Sequence, residues 1–170
     1  YAMNVKARQQ AKQQKELLFY IQAVDRATQK LPPQEYMKVR AEPNLANTKK
    51  LAGLLPVFIG VEVVLQKGLL PSTYVPGTVA TIIGIELHEQ EPPIRGRPSI
   101  GEAGCVVLQC MPKYIYVLLK DSKDGFLNSE TDAPPDIPDG DWADAIAIAP
   151  TNATWTYTTS DGAHKVTIDR

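Results

Sequence analysis

Apolar and polar residues alternate along much of this chain with the two-residue period of half-buried strands. The clearest run is 54–65, where Val57, Ile59, Val61, Val63 and Leu65 share one face and Phe58 and Val64 make the other partly apolar. A strand apolar on both faces suits a small closed barrel or a sandwich. A second row, Val79, Ile83, Ile85 and Leu87, follows the Pro76-Gly77 turn signal, and Gly84 within it marks a bend or bulge. Residues 105–121 form a long apolar stretch that Pro112 divides, and 142–150 read as a short strand. The last segment, 153–170, reads as a hairpin: Asp161-Gly162 supplies a type I′ turn between Trp155/Tyr157 and Val166/Ile168.

The N-terminal third follows a different pattern. Residues 4–16 carry good helix formers, no Gly or Pro, and Asn4 as an N-cap, but only Val5, Ala7 and Ala11 as apolar positions. So thin an apolar row needs a partner surface to hold the helix. Residues 17–25 switch to strand composition, and 28–50 read as a polar connector in which Pro32-Pro33 and Pro43 bar regular structure. Residues 121–141 hold seven acids, one Lys and three prolines and read as a disordered insertion. The pattern thus predicts about six strands and at most one helix: a mainly β chain, α+β overall, with a boundary near residue 50 between an N-terminal segment (1–50) and a β-barrel domain (51–170).

The bulk composition allows one ordinary domain with a real core: 170 residues, 44% hydrophobic and 22% charged. The net charge of −1 is unevenly spread. Residues 1–50 hold ten Lys/Arg against four Asp/Glu, and residues 51–170 hold eight against fifteen. A basic start on a near-neutral chain points to a local phosphate contact more than to a whole-protein polyanion binder; the plain alternative is a solvated helix. On the N-terminal helix Arg8, Lys12 and Lys15 lie four and three apart, hence on one stripe. Lys6 and the Lys49-Lys50 pair before the barrel complete the candidate nucleic-acid contacts. Trp155 and Tyr157 could stack bases but suit a hairpin core better.

Other chemistries find little support. No phosphate-cradling G-x-x-x-x-G-K-[ST], G-x-G-x-x-G or G-x-S-x-G motif occurs. His88 and His164 stand alone, and Glu86, Glu89 and Glu91 read as solvated. Cys105 and Cys110 lie five apart on an apparent strand, face opposite ways and are expected to stay reduced, as in an intracellular protein. No catalytic or metal site is expected, no apolar run reaches membrane-span length, and the start at Tyr1-Ala2-Met3 suggests a piece of a longer protein.

Two stretches carry a resemblance. "LPVFIGVEVVLQKGLL…VPGTVATIIGIE" resembles Pif-type DNA helicases and the related helicases of Helitron mobile elements, through Leu55, Pro56, Gly60, Val63, Leu65, Gly77, Thr78, Ile82 and Ile85. "MNVKARQQAKQQKELLFYIQAVDRA" resembles the segment that precedes that strand in the family, through Asn4, Arg8, Tyr20, Ala23 and Asp25. The final strands from Ala145 onward resemble those leading into the next helicase motif of the mobile-element branch. Pro76-Gly77 departs from the family's usual Asn-Gly. The resemblance implies a slice of the second RecA-like half (1–50) with its inserted 2B SH3-like barrel (51–170). It further implies a parent that hydrolyses ATP with Mg²⁺, moves 5′ to 3′ along single-stranded DNA, and works inside the cell, in the nucleus if eukaryotic. The phosphate loop and metal-binding motifs of that parent are not in this segment, so no cofactor is expected here. The expected partners are single-stranded DNA and the rest of the parent, with no membrane. The alternative from the residues themselves is a small β-barrel protein-interaction module that uses the acidic 121–141 stretch.

Overall fold

The structure is a computed structural model that describes residues 2–42, 44, 46–49, 51–66, 75–94, 104–120, 144–162 and 164–170. Lys50 and the acidic stretch 121–141 lie outside the described residues. The described chain is mainly β, α+β overall, with two helices and three small sheets.

Helix α1 spans Ala2–Gln14 and starts earlier than Asn4. It stops where Lys15 takes a φ of 61°. There Glu16 N donates to Ala11 O at 2.9 Å and Lys15 N to Lys12 O at 3.3 Å, the paired bonds of a Schellman C-cap. Ala7 and Ala11, one turn apart, are the buried row of α1 and seat it on Leu18, Tyr20 and Phe58. Two small residues let the helix approach the sheet closely, which compensates for its thin apolar face.

Strand β1 (Leu18–Gln22) forms the centre of the first sheet, antiparallel to β3 (Leu54–Val57) and parallel to β6 (Cys105–Val107). The second sheet is an antiparallel meander of β4 (Glu62–Val64), β5 (Val79–Glu86), β7 (Tyr114–Leu119) and β8 (Ala145–Ile148). The chain passes between these sheets three times, from β3 to β4, from β5 back to β6, and from β6 to β7. One core fills the space between them: Ile21, Val57, Val106 and Leu108 from the first side, Ala80, Ile82, Val117 and Ile146 from the second. Two small sheets thus pack on one shared core.

The single strand predicted over 54–65 is therefore two strands with a corner. Phe58 turns to the α1 side and Ile59 is exposed. Gly60 takes a φ of 92° and donates to Ile82 O at 2.7 Å, so the bend requires a residue free of a Cβ penalty at positive φ. The predicted inward row of β5 is also out of phase. Ala80 and Ile82 are buried, and a bulge between Ile82 and Gly84 then swings Ile85 and Leu87 to the core. Gly84 does mark the irregularity. Pro112 divides β6 from β7 as the pattern predicts. Pro76-Gly77 forms the centre of a turn closed by Thr78 N on Val75 O at 3.1 Å, with Gly77 at φ 95°, the Pro-Gly pattern of a type II turn.

The third sheet joins β2 (Arg26–Ala27), β10 (Lys165–Asp169) and β9 (Thr154–Thr158), all antiparallel. Trp155 opposes Ile168 and Tyr157 opposes Val166, as the hairpin reading has it. Its tip is wider than a two-residue type I′ turn: Thr159 N donates to His164 O at 3.0 Å and Gly162 N to Thr159 O at 2.8 Å. Helix α2 (Pro33–Ala41) packs Val39 onto this sheet beside Trp155, Tyr157, Val166 and Ile168. The connector reading of 28–50 is corrected here. Pro33 sits at the first helical position, where a missing N–H costs nothing, and Glu35 follows in the first turn, which suits the helix dipole. The compositional boundary at residue 50 is crossed by the β1–β3, β1–β6 and β2–β10 ladders.

Candidate nucleic-acid interface

Of the cations expected to meet phosphate, Lys50 lies outside the described residues, and the other five are exposed but not equivalent. Lys6, Lys12 and Lys15 are exposed. On a 3.6-residue turn Arg8 and Lys12 stand on one flank of the Ala7–Ala11 row and Lys6 on the other. Lys15 lies just past the helix, at its left-handed cap. Arg8 is exposed as well but reaches back to the sheet: its Nε donates to the Tyr20 hydroxyl at 3.0 Å, and its guanidinium lies 5.8 Å from the Tyr20 ring centre. Arg8 thus links α1 to β1 through Tyr20. Lys49, exposed at φ 53°, belongs to a separate turn before β3.

Three further polar knots were not legible in the sequence. The largest is a buried ion pair. Arg170 Nε meets Asp25 Oδ1 at 2.6 Å and Nη2 meets Oδ2 at 3.0 Å, with both side chains almost fully buried. The same guanidinium donates to Val39 O at 2.8 Å and Leu51 O at 3.0 Å and lies 5.7 Å from the Trp155 ring centre. Tyr36 donates its hydroxyl proton to the Asp25 carbonyl. One side chain therefore ties the end of β1, α2, the turn before β3 and the last hairpin.

The second knot is on Glu35. It accepts from Ser160 Oγ at 2.7 Å, Ser160 N at 3.1 Å, Tyr157 Oη at 2.8 Å and Lys38 Nζ at 3.0 Å. These donors, Ser160 and Tyr157 foremost, hold its carboxyl well below the usual range, at about 2. Burial, and then the Glu35 charge, push the Tyr157 phenol up. Pro at the first helical position with an acid two residues on was the sequence signal for this helix start. Its partner, 125 residues away, carried no signal.

The third knot replaces the solvated reading for Glu86 and Glu91, while Glu89 is exposed as expected. Glu86 accepts from Tyr116 Oη at 2.5 Å and pairs with Lys113 Nζ at 2.9 Å, and both lower its carboxyl pKa, Tyr116 first. Burial followed by Glu86 raises the Tyr116 phenol strongly. Glu91 caps the turn after β6, accepting from Gln109 N at 3.1 Å and Cys110 N at 2.6 Å. Trp155 and Tyr157 are buried edge to face with centroids 6.1 Å apart, so they are core and not base-stacking surfaces. Cys105 and Cys110 are free thiols.

A cavity of about 480 Å³ opens beside the Glu35 knot, between the loop after β2, the first turn of α2 and the β9–β10 tip. Among the described residues no three His, Cys, Asp or Glu side chains converge as a metal site, and no helix is long and apolar enough to cross a membrane. No protein-family model, curated protein or solved structure matches this chain. The described chain is a mainly β fold with a basic helix seated on its first sheet.

Proposed function

We propose that this chain is a non-catalytic, barrel-containing segment of an ATP-dependent DNA helicase, and that α1 contacts the phosphates of single-stranded DNA while the barrel braces that strand. The observation that carries this reading is the way α1 is held. Ala7 and Ala11 seat α1 on the sheet, Arg8 reaches the Tyr20 hydroxyl while staying exposed, and Lys6, Lys12 and the capping Lys15 are left in solvent. Cations held on a rigid support give a backbone contact without base readout. The helicase resemblance of Leu55 to Ile85 supplies the class of parent. In this reading ATP and Mg²⁺ belong to the remainder of that parent, and this segment turns over neither.

Fluorescence anisotropy with a labelled oligo-thymidine tests the reading. Three phosphate contacts on a single strand give a log–log salt slope of about −2, so affinity falls roughly 15- to 20-fold from 50 to 200 mM salt. Lys15→Gly is the informative variant. It relieves a positive-φ lysine and so raises stability by about 1 kcal/mol, while it removes one cation and flattens the slope by about 0.7. Lys12→Gln flattens it by a similar amount. Binding that ignores salt, or a slope unchanged in both variants, overturns the α1 contact. Binding to a protein partner that vanishes when 121–141 is deleted, with no DNA binding at any salt, favours the interaction-module alternative.

A further inference from the structure

We propose that the free edge of β9 pairs with the β9 edge of a second copy of this chain, antiparallel about a two-fold axis at Thr156, so that two three-stranded sheets join into one of six. The proposal goes beyond the single-strand reading and does not rest on it. β9 is an outermost strand of the third sheet. The ladder to β10 shows which of its backbone groups are spent. Ala153 N donates to Arg170 O at 2.9 Å and Arg170 N to Ala153 O at 3.0 Å, and Thr159 N donates to His164 O at 3.0 Å. Bonded pairs recur at every second residue of an antiparallel ladder, so Trp155 and Tyr157 are the bonded residues of β9. The N–H and C=O groups of Thr154, Thr156 and Thr158 therefore point away from β10, and among the described residues nothing meets them.

Such a row of unpaired groups is a template for another strand. Sheets blunt an open edge with charge, proline or a bulge. β9 has none of these: its sequence is Thr-Trp-Thr-Tyr-Thr, and its register with β10 runs without a shift. The three threonines are exposed, while Trp155 and Tyr157 are buried with Val39 of α2 on the other face. The symmetry of the strand selects the occupant. An antiparallel partner centred on Thr156 sets Thr156 against Thr156 of the second copy and Thr154 against its Thr158, so every exposed contact is a favourable threonine pair. Across the joined sheet one row then reads Lys165 and Thr158, followed by Thr154 and Asp169 of the second copy, so no like charges share a row. Both α2 helices stay on the face opposite the threonines. The chain's net charge of −1 sets no barrier between copies. A charged peptide would find no counter-charge on β9, which makes the chain's own uncharged strand the better fit.

Sedimentation velocity of the whole 170-residue chain over a concentration series tests the pairing. One strand pair buries little surface, so the expected result is a weak reversible dimer with a Kd on the order of 100 µM. Thr156→Lys sets like charges face to face on the axis and should weaken the dimer about tenfold or more, and Thr156→Glu should do the same. An equimolar mixture of the two variants should recover the affinity of the native chain, because the axis then pairs opposite charges. Thr156 is exposed and its N–H is unbonded, so both variants should keep the native far-UV circular dichroism. Thr167→Lys lies one strand further in, where the two copies' side chains stand about 14 Å apart, beyond the screening length, and should leave the dimer unchanged. A native chain that stays monomeric up to about 1 mM, a dimer indifferent to folded Thr156→Lys, or a mixture that fails to recover each overturns the proposal.

Discussion

The Arg170 side chain makes four hydrogen bonds inside the protein, two of them to Asp25, so removing or isolating it is a severe perturbation of the fold. Asp25→Ala leaves a buried guanidinium with only the Val39 and Leu51 carbonyls for company and no counter-charge. Breaking a buried pair from one side costs about 3–5 kcal/mol, because the surviving charge stays desolvated. Here two carbonyls and the Trp155 ring still face the cation, so the expected cost is toward the lower end, about 3 kcal/mol. For a chain of this length that lowers the melting temperature by about 6–12 °C. Urea unfolding followed by far-UV circular dichroism, with tryptophan fluorescence as a second probe, measures it as a lower midpoint at an unchanged slope. Arg170→Met strands the Asp25 carboxylate instead and should cost a similar amount. Asp25→Leu with Arg170→Met removes both charges and leaves the two carbonyls to be satisfied by water or by Glu42 N, which already lies 3.4 Å from Val39 O. The double variant should therefore lose clearly less than the sum of the singles, with a coupling of about 2 kcal/mol or more. Singles that cost under about 1 kcal/mol, or that add without coupling, would refute the clasp as the tie between the N-terminal elements and the last hairpin.

Gly53→Ala places a Cβ 2.0 Å from the Arg40 carbonyl oxygen and 3.2 Å from Arg170 Nη2, so calorimetry should show a loss of about 1–3 kcal/mol or more through displaced backbone. Phe58→Ala empties the corner under α1, where Phe58 is 1% exposed, and should cost about 3–5 kcal/mol together with early loss of α1 amide protection in hydrogen exchange. Glu35 has its carboxyl pKa depressed to about 2 from 4.5, so its stabilising contribution is complete above pH 4.5 and disappears as pH falls towards 2. The stability gap between the native chain and Glu35→Gln should therefore close over that window in acid titrations; a constant gap contradicts the Ser160–Tyr157–Lys38 assignment.

Much of the fold could be read from local pattern. Alternation located the strands, Gly84 located a bulge, Pro112 a division and Asp161-Gly162 a hairpin tip. The failures have definite causes. Pro32-Pro33 looked like a break because proline cannot sit inside a helix, yet at the first helical position it is well placed. The 54–65 run looked like one strand because both faces are apolar, and two-sided apolarity hides a corner: Phe58 serves the α1 interface while Val57 serves the core between the sheets. Helix geometry puts Arg8 on the exposed basic side of α1, where it lies, but could not supply the Tyr20 hydroxyl that it reaches across the interface.

The sequence by itself determined the mainly β class, the helix at the start, the turn positions and the uneven charge. All of these are properties of neighbouring residues, set by backbone sterics and by which face meets water. Only the tertiary structure decided which charges are spent and which are free. Asp25 finds its arginine 145 residues away and Glu35 finds Ser160 across 125. A carboxylate reads the same in sequence whether it is solvated or buried in a knot, because its partner is fixed by chain closure and not by local pattern.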